Sequence, residues 1–380
     1  MATGFSSIPK FGFGCMRLPL LDEHDKASID IPQFCDMVDA FIQAGGRYFD
    51  TAYGYHDGAS EIALHEALVK RYPRDAYLIA TKNPASMFDS AERARACLDE
   101  SLERLGVDRI DFYLLHNLGA ERTRKFEEYG MWDFIAQKKR EGVLGNIGFS
   151  LHDDPDVLDR VLDDHPEVDF VQLQVNYLDW EDPVIQSRSL MDAAARHGKP
   201  VVIMEPVRGG RLAELPPHAA EPLLACRPQD GLASWAYRFC WNLPNVITVL
   251  SGASTLEQMR QNAASFKANR PFDANEKAAL DKSLAELKSV PTIPCTNCGY
   301  CLKGCPRQVA IPIIMMLLNL EAMTGNAAFS KHNYAWQAEP GKASDCIGCG
   351  ACEAVCPQGI GIIEHLREAA RKYEPVDPNA

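Results

Sequence analysis

Residues 110–116 read Ile110-Asp111-Phe112-Tyr113-Leu114-Leu115-His116. This is a short, mostly apolar run ending on a polar side chain, as expected of a strand buried on both faces. Segments 90–105 before it and 125–141 after it carry apolar residues at three- and four-residue spacing, so the strand lies between two amphipathic helices. Working outward, the same alternation predicts strands at 11–18, 48–52, 77–82, 110–116, 144–150, 170–176, 200–205 and 246–251, with further helices at 59–70 and 184–197. Eight strand–helix pairs before Pro271 match the length of a closed (β/α)8 barrel, whereas an open doubly wound sheet is the competing arrangement. Polar residues weigh for the barrel: Asp50, Lys82, His116, Ser150, Gln174, Glu205 and Ser251 end seven successive strands, and a barrel collects its chemistry at many strand ends.

A further helix is expected at 274–289, and 290–294, Val-Pro-Thr-Ile-Pro, reads as a rigid connector. The chain therefore divides into 1–290, a TIM barrel of the α/β class, and 291–380, a small, largely helical domain. No GxGxxG fingerprint occurs. The net charge is −13 without a basic run, which argues against nucleic acid or an anionic membrane surface as partner. Residues 1–10 lack a signal pattern, and the longest apolar run, 311–318, falls far short of the roughly 18 residues that span a bilayer. The expectation is a cytoplasmic protein.

Eight of the thirteen cysteines fall in two runs. Cys295, Cys298, Cys301 and Cys305 precede Pro306, and Cys346, Cys349, Cys352 and Cys356 precede Pro357. Each run has the spacing C-x2-C-x2-C-x3-C-P of iron–sulfur proteins, which a zinc site would rarely repeat. The doubled run resembles two-cluster ferredoxins, in which the fourth cysteine ligates the other cluster. That resemblance assigns Cys295, Cys298, Cys301 and Cys356 to one [4Fe–4S] cluster and Cys346, Cys349, Cys352 and Cys305 to the second. Helices expected at 311–320 and 362–373 are similar to those of helical dicluster domains fused to larger reductases. The remaining cysteines, Cys15, Cys35, Cys97, Cys226 and Cys240, read as small apolar residues.

Three segments, 49–55 (Phe-Asp-Thr-Ala-Tyr-Gly-Tyr), 79–82 (Ile-Ala-Thr-Lys) and 111–116, together resemble the aldo-keto reductase superfamily over about residues 5–290. The resemblance implies a (β/α)8 barrel that binds a nicotinamide nucleotide without a Rossmann motif. It also implies a catalytic tetrad of Asp50, Tyr55, Lys82 and His116. Reducing a carbonyl by hydride requires a proton donor at the developing alkoxide, and Tyr55 fills that place, with Tyr53 as the fallback. Lys82 beside the phenol, Asp50 holding Lys82, and His116 orienting the carbonyl oxygen complete the set.

For the nucleotide, the resemblance implies that Ser150 and Gln174 hold the carboxamide, and that Gly252, Ser254, Gln258 and Asn262 lie at the adenosine end. Gly252 and Gln258 stand where many members place a cation for the 2′-phosphate, so NADP and NAD remain open. Leu151 follows Ser150 in place of asparagine, and Met204 replaces a stacking tyrosine.

Three readings follow. One is an oxidoreductase acting on a small carbonyl or alcohol, its clusters exchanging electrons with a ferredoxin or other redox protein. Another is a one-electron reductase whose clusters feed a barrel-bound substrate without nicotinamide. The third is a non-catalytic sensor of redox state or nucleotide. Hydride carries two electrons and each cubane one, and no segment reads as a flavin site to convert between them.

Overall fold

The computed structural model describes residues 4–22, 25–120, 122–183, 185–293, 295, 300–338, 340–356 and 359–374. Val184, Pro294, Cys298 and Pro357 lie outside the described residues. Among the described residues eight strands occur, in sequence order: β1 (Phe11–Gly14), β2 (Tyr48–Asp50), β3 (Leu78–Asn83), β4 (Ile110–Leu118), β5 (Leu144–Leu151), β6 (Phe170–Gln174), β7 (Val201–Met204) and β8 (Val246–Gly252). Each pairs in parallel with its neighbour, and β8 closes on β1, with Phe13 opposite Ser251. The closed barrel excludes the open sheet.

Alternation along the strands builds two apolar layers. Tyr48, Leu78, Ala80, Phe112, Leu114, Phe170, Val202 and Leu250 form one buried cluster inside the barrel, with Ile8 buried among them and Phe5 packed against it. Phe11, Phe13, Phe49, Ile79, Tyr113, Phe149, Val171, Ile203 and Val249 face the surrounding helices. Apolar side chains therefore fill most of the barrel's amino end, and the polar side chains considered below lie towards the carboxyl ends of the strands.

Local differences from expectation have local causes. The segment expected as one helix at 125–141 is two, Thr123–Glu128 and Met131–Arg140, separated where Gly130 adopts φ 62°. The segment 59–70 starts as helix Ala59–Leu64 and continues as a π turn, His65–Val69. Strand β1 stops at Gly14, and a single turn, Cys15–Arg17, carries the chain over the barrel mouth.

By packing, the chain divides into two compact units, Met1–Gly209 with Ala233–Phe272, and Gly210–Leu232 with Asp273–Ala380. The expected break at 290/291 falls inside the second unit. Helix Ala274–Lys288 packs along helix Pro217–Cys226, where buried Ser283 donates from Oγ to the Ala219 carbonyl at 2.7 Å. The second unit also contains helices Ile311–Thr324, Ala327–Gln337 and Ile362–Tyr373. Val309, Ile314, Leu317, Tyr334, Leu366 and Tyr373 make its core together with Cys301 and Cys352. Among the described residues no helix is long and apolar enough to cross a membrane.

Candidate active site and cluster sites

Asp50 ends β2 and Lys82 lies near the end of β3, both almost wholly buried. Lys82 Nζ lies 2.5 Å from Asp50 Oδ1, 2.8 Å from the Thr51 carbonyl and 3.3 Å from the Tyr55 hydroxyl oxygen. An ammonium has three protons, and three acceptors take them. Burial opposes the Lys82 charge, but Asp50 and Tyr55 outweigh it and hold the ammonium above its ordinary range. Because Tyr55 accepts from Lys82, its own O–H remains available to donate.

Tyr55 opens a tight turn, Tyr55–Gly58, in which His56 and Asp57 both take φ 53°. His56 ties that turn down: Nε2 accepts from the Leu18 amide at 3.1 Å, and Nδ1 lies 2.8 Å from the Lys26 carbonyl. Burial pushes the Tyr55 phenol upward; Lys82 pulls it down and Asp50 adds to the rise, leaving it protonated through the neutral range.

His116 stands over this group, its ring centroid 5.7 Å from that of Tyr55 and nearly perpendicular to it. Burial, then Lys82 and His152, hold the imidazole well below its usual range, so it is neutral. Tyr53 is engaged elsewhere: its hydroxyl donates to Glu100 Oε2 at 2.6 Å and accepts from Arg93, while Arg104 lies 4.2 Å over its ring. Asp50, Tyr55, Lys82 and His116 thus converge, and Tyr53 does not join them.

Two residues at the site carried no signal in the sequence. Gln172, inside β6, donates from Nε2 to Asp50 Oδ2 at 3.0 Å. His152, just past β5, lies beside His116 and is reached by solvent. The parallel register places Gln172 opposite Ser150, but only the folded barrel brings it across to Asp50.

The remaining nucleotide candidates occupy three places. Ser150 Oγ accepts from the Asn117 amide at 2.8 Å, which leaves its proton free. Gln174 donates from Nε2 to buried Asp179 at 2.8 Å, alongside Asn176, with Arg208 Nε 3.2 Å from the same carboxylate. Beyond Gly252, at the end of β8, Ser254 donates its hydroxyl to the Arg17 carbonyl, and its amide donates to Gln258 Oε1. Asn262 turns inward and donates to Ser251 Oγ at 2.9 Å.

In the second unit, Cys305, Cys346, Cys349 and Cys352 line one pocket with Pro306, Arg307, Ile347 and Leu366. The Val309 amide donates to Cys305 Sγ at 3.4 Å, a bond that stabilises a thiolate. The last cysteine of the first run is thus brought to the second run, a donor set that fits a cubane. Cys295 and Cys356 pack against the same core. Among the described residues no three His, Cys, Asp or Glu side chains converge on a single metal ion.

Residues 10–285 match the aldo/keto reductase family. The chain belongs to that family. Residues 294–360 match the 4Fe-4S dicluster domain, so the aldo/keto reductase barrel is joined to a domain that carries two [4Fe–4S] clusters. The chain is similar to D-threo-aldose 1-dehydrogenase of a Pseudomonas species, 26% identical over 75% of this chain and 96% of the relative. It also resembles the NADH-specific methylglyoxal reductase of Escherichia coli K12, 27% identical over 67% of this chain and 88% of the relative. Among solved structures, an aldo-keto reductase of Bacillus halodurans in its holo form superposes with a TM-score of 0.56 at 26% identity, covering 72% of this chain and 91% of that one. One from Klebsiella pneumoniae, in complex with NADP and acetate, gives 0.56 at 23%, over 72% and 91%, a likeness of fold. The aldo/keto reductase described here is an oxidoreductase.

Proposed function

We propose that the barrel interconverts a small carbonyl compound and its alcohol with a nicotinamide nucleotide as the two-electron partner, and that the clusters relay electrons to or from a separate redox protein. The observation that carries the reading is the saturation of Lys82 by Asp50, the Thr51 carbonyl and Tyr55. It leaves Tyr55 with an available proton beside a fixed cation. Relatives named for an aldose and for methylglyoxal support a small carbonyl or alcohol as substrate, and the second of them, named NADH-specific, supports a nicotinamide nucleotide as cofactor.

When bound, the nucleotide supplies or accepts hydride. The chain's own residues do the rest. His116, neutral, donates a hydrogen bond that orients the substrate oxygen, and Tyr55 gives that oxygen its proton as negative charge develops. Lys82 then faces the resulting phenolate, with Asp50 fixing the ammonium. Hydride plus this proton converts the carbonyl to the alcohol, and solvent returns the proton to Tyr55. The free hydroxyl proton of Ser150 and the unspent carbonyl of Gln174 suit the two halves of a carboxamide. Ser254, Gln258 and Asn262, already bonded within the protein, provide at most their remaining groups to the adenosine end. Cys305 with the second run, and Cys356 with Cys295, Cys298 and Cys301, would hold the clusters, which would supply one-electron transfer.

The test is steady-state reduction of short aldehydes and ketones by NADH and NADPH with cluster-loaded protein and its Tyr55→Phe variant. Turnover lost in the variant supports the reading. Unchanged turnover, or turnover only with a one-electron donor, overturns it.

A further inference from the structure

Strands β4 and β5 pair regularly until Leu115 meets Phe149, and the register then shifts so that Leu118 meets Leu151. Two residues of β4, His116 and Asn117, therefore oppose one residue of β5, Ser150. This is a β-bulge, the device by which a strand re-aims a side chain. Asn117 takes φ 64°, a left-handed conformation that is sparsely used outside glycine and persists where the surroundings enforce it.

The enforcing groups are all present. Ser150 Oγ accepts from the Asn117 amide at 2.8 Å and so takes the N–H that the interrupted ladder leaves. Arg122 Nε donates to the Asn117 carbonyl at 2.7 Å, and its Nη2 donates to the carbonyls of Leu118 and His152, each at 3.1 Å. The His152 amide donates back to Leu118. Both backbone groups of Asn117 are thus held by side chains, one from β5 and one from the loop after β4. The residue that this bracket sets is the neighbouring His116, whose ring faces Tyr55.

We propose that Ser150 is a positioning residue for His116: its hydroxyl, with Arg122 on the opposite side of Asn117, locks the bulge that aims the imidazole at Tyr55. This role is separate from any contact between Ser150 and the nucleotide, because it uses the oxygen as acceptor and leaves the proton free. It deepens the function proposed above, but it can be read without substrate or nucleotide.

The experiment follows the His116 imidazole by NMR in nucleotide-free, cluster-loaded protein with ring-labelled histidine, the signal assigned by its loss in His116→Gln. The titratable groups acting on this imidazole are Tyr55, Lys82 and His152, and none of them is substituted in the variants. In Ser150→Ala the His116 signal should move and its titration midpoint rise towards the usual imidazole range, and kcat should fall about 10- to 100-fold. Ser150→Thr, which keeps the hydroxyl, should leave the His116 signal and its titration where the parent has them. Adding Asn117→Gly to Ser150→Ala should restore signal and titration, because glycine takes positive φ freely. Should Ser150→Ala fail to fold, Asn117→Ala tests the same bracket and should shift His116 where Asn117→Gly alone does not. An unchanged His116 signal in folded Ser150→Ala, or no restoration by glycine, overturns the proposal. Absence of carbonyl reduction by the parent enzyme would overturn the function proposed above and leave this titration interpretable.

Discussion

Gln172 donates to Asp50 Oδ2 at 3.0 Å while Lys82 holds Oδ1 of the same carboxylate at 2.5 Å. Both oxygens of a carboxylate 2% exposed are thereby satisfied from opposite sides. A buried ion pair recovers its desolvation cost only when the remaining lone pairs also find donors, and Gln172 meets that condition here.

Gln172→Leu, similar in size and without a donor, should destabilise the barrel by about 1.5–3 kcal/mol, the usual cost of losing a hydrogen bond to a charged group. Thermal melting followed by tryptophan fluorescence should show a lowered transition, and turnover should fall as Lys82 loses its fixed counter-ion.

Tyr55→Phe and Tyr53→Phe should separate cleanly. The first removes the proposed proton donor and should reduce turnover about 10²- to 10⁴-fold. The second removes hydrogen bonds to Glu100 and Arg93 and should cost about 1 kcal/mol of stability with kcat nearly unchanged. Iron and sulfide content should equal the parent's in both.

The contrast between these tyrosines shows what was legible in the sequence. The eight strands were readable because each is a short apolar run between amphipathic helices, and Asp50, Lys82 and His116 were marked by ending such runs. Tyr53 and Tyr55 differ in nothing local; only Arg93, Glu100 and Arg104 on helix Ala91–Leu105 decide which ring turns away. Gln172 was hidden for a similar reason, since its partner lies 122 residues away in sequence. The packing of helix Ala274–Lys288 with Pro217–Cys226 was also invisible, because amphipathicity says that a helix has a buried face without naming what covers it.

Two titrations have opposite signs. Burial keeps Tyr55 protonated through the neutral range, so the rate of carbonyl reduction should hold steady there and decline above the ordinary tyrosine range, as the donor loses its proton. His116 is held below its ordinary range, so the unfolded chain binds that proton first on acidification. Stability should therefore fall as pH drops below about 6.5, the unperturbed imidazole value. His116→Gln should flatten this slope, as measured by urea unfolding at about pH 7 and about pH 5.

Cys305→Ser and Cys346→Ser should each remove about half of the iron, and combining them should remove little more, because the two line one pocket and are proposed to serve one cluster. Cys305→Ser with Cys356→Ser should remove nearly all of it. Iron analysis after anaerobic reconstitution distinguishes this crossed ligation from a scheme in which each run holds its own cluster.

That the two clusters serve the barrel's chemistry is tested most directly by anaerobic titration of cluster-loaded protein with NADH and NADPH, with and without carbonyl or alcohol substrate, while the visible absorbance of the clusters is recorded. Bleaching by one of the nucleotides, to the extent reached with a chemical one-electron reductant, is the expected result. Clusters that bleach with the chemical reductant yet stay unchanged when the nucleotide binds and turns over would contradict it.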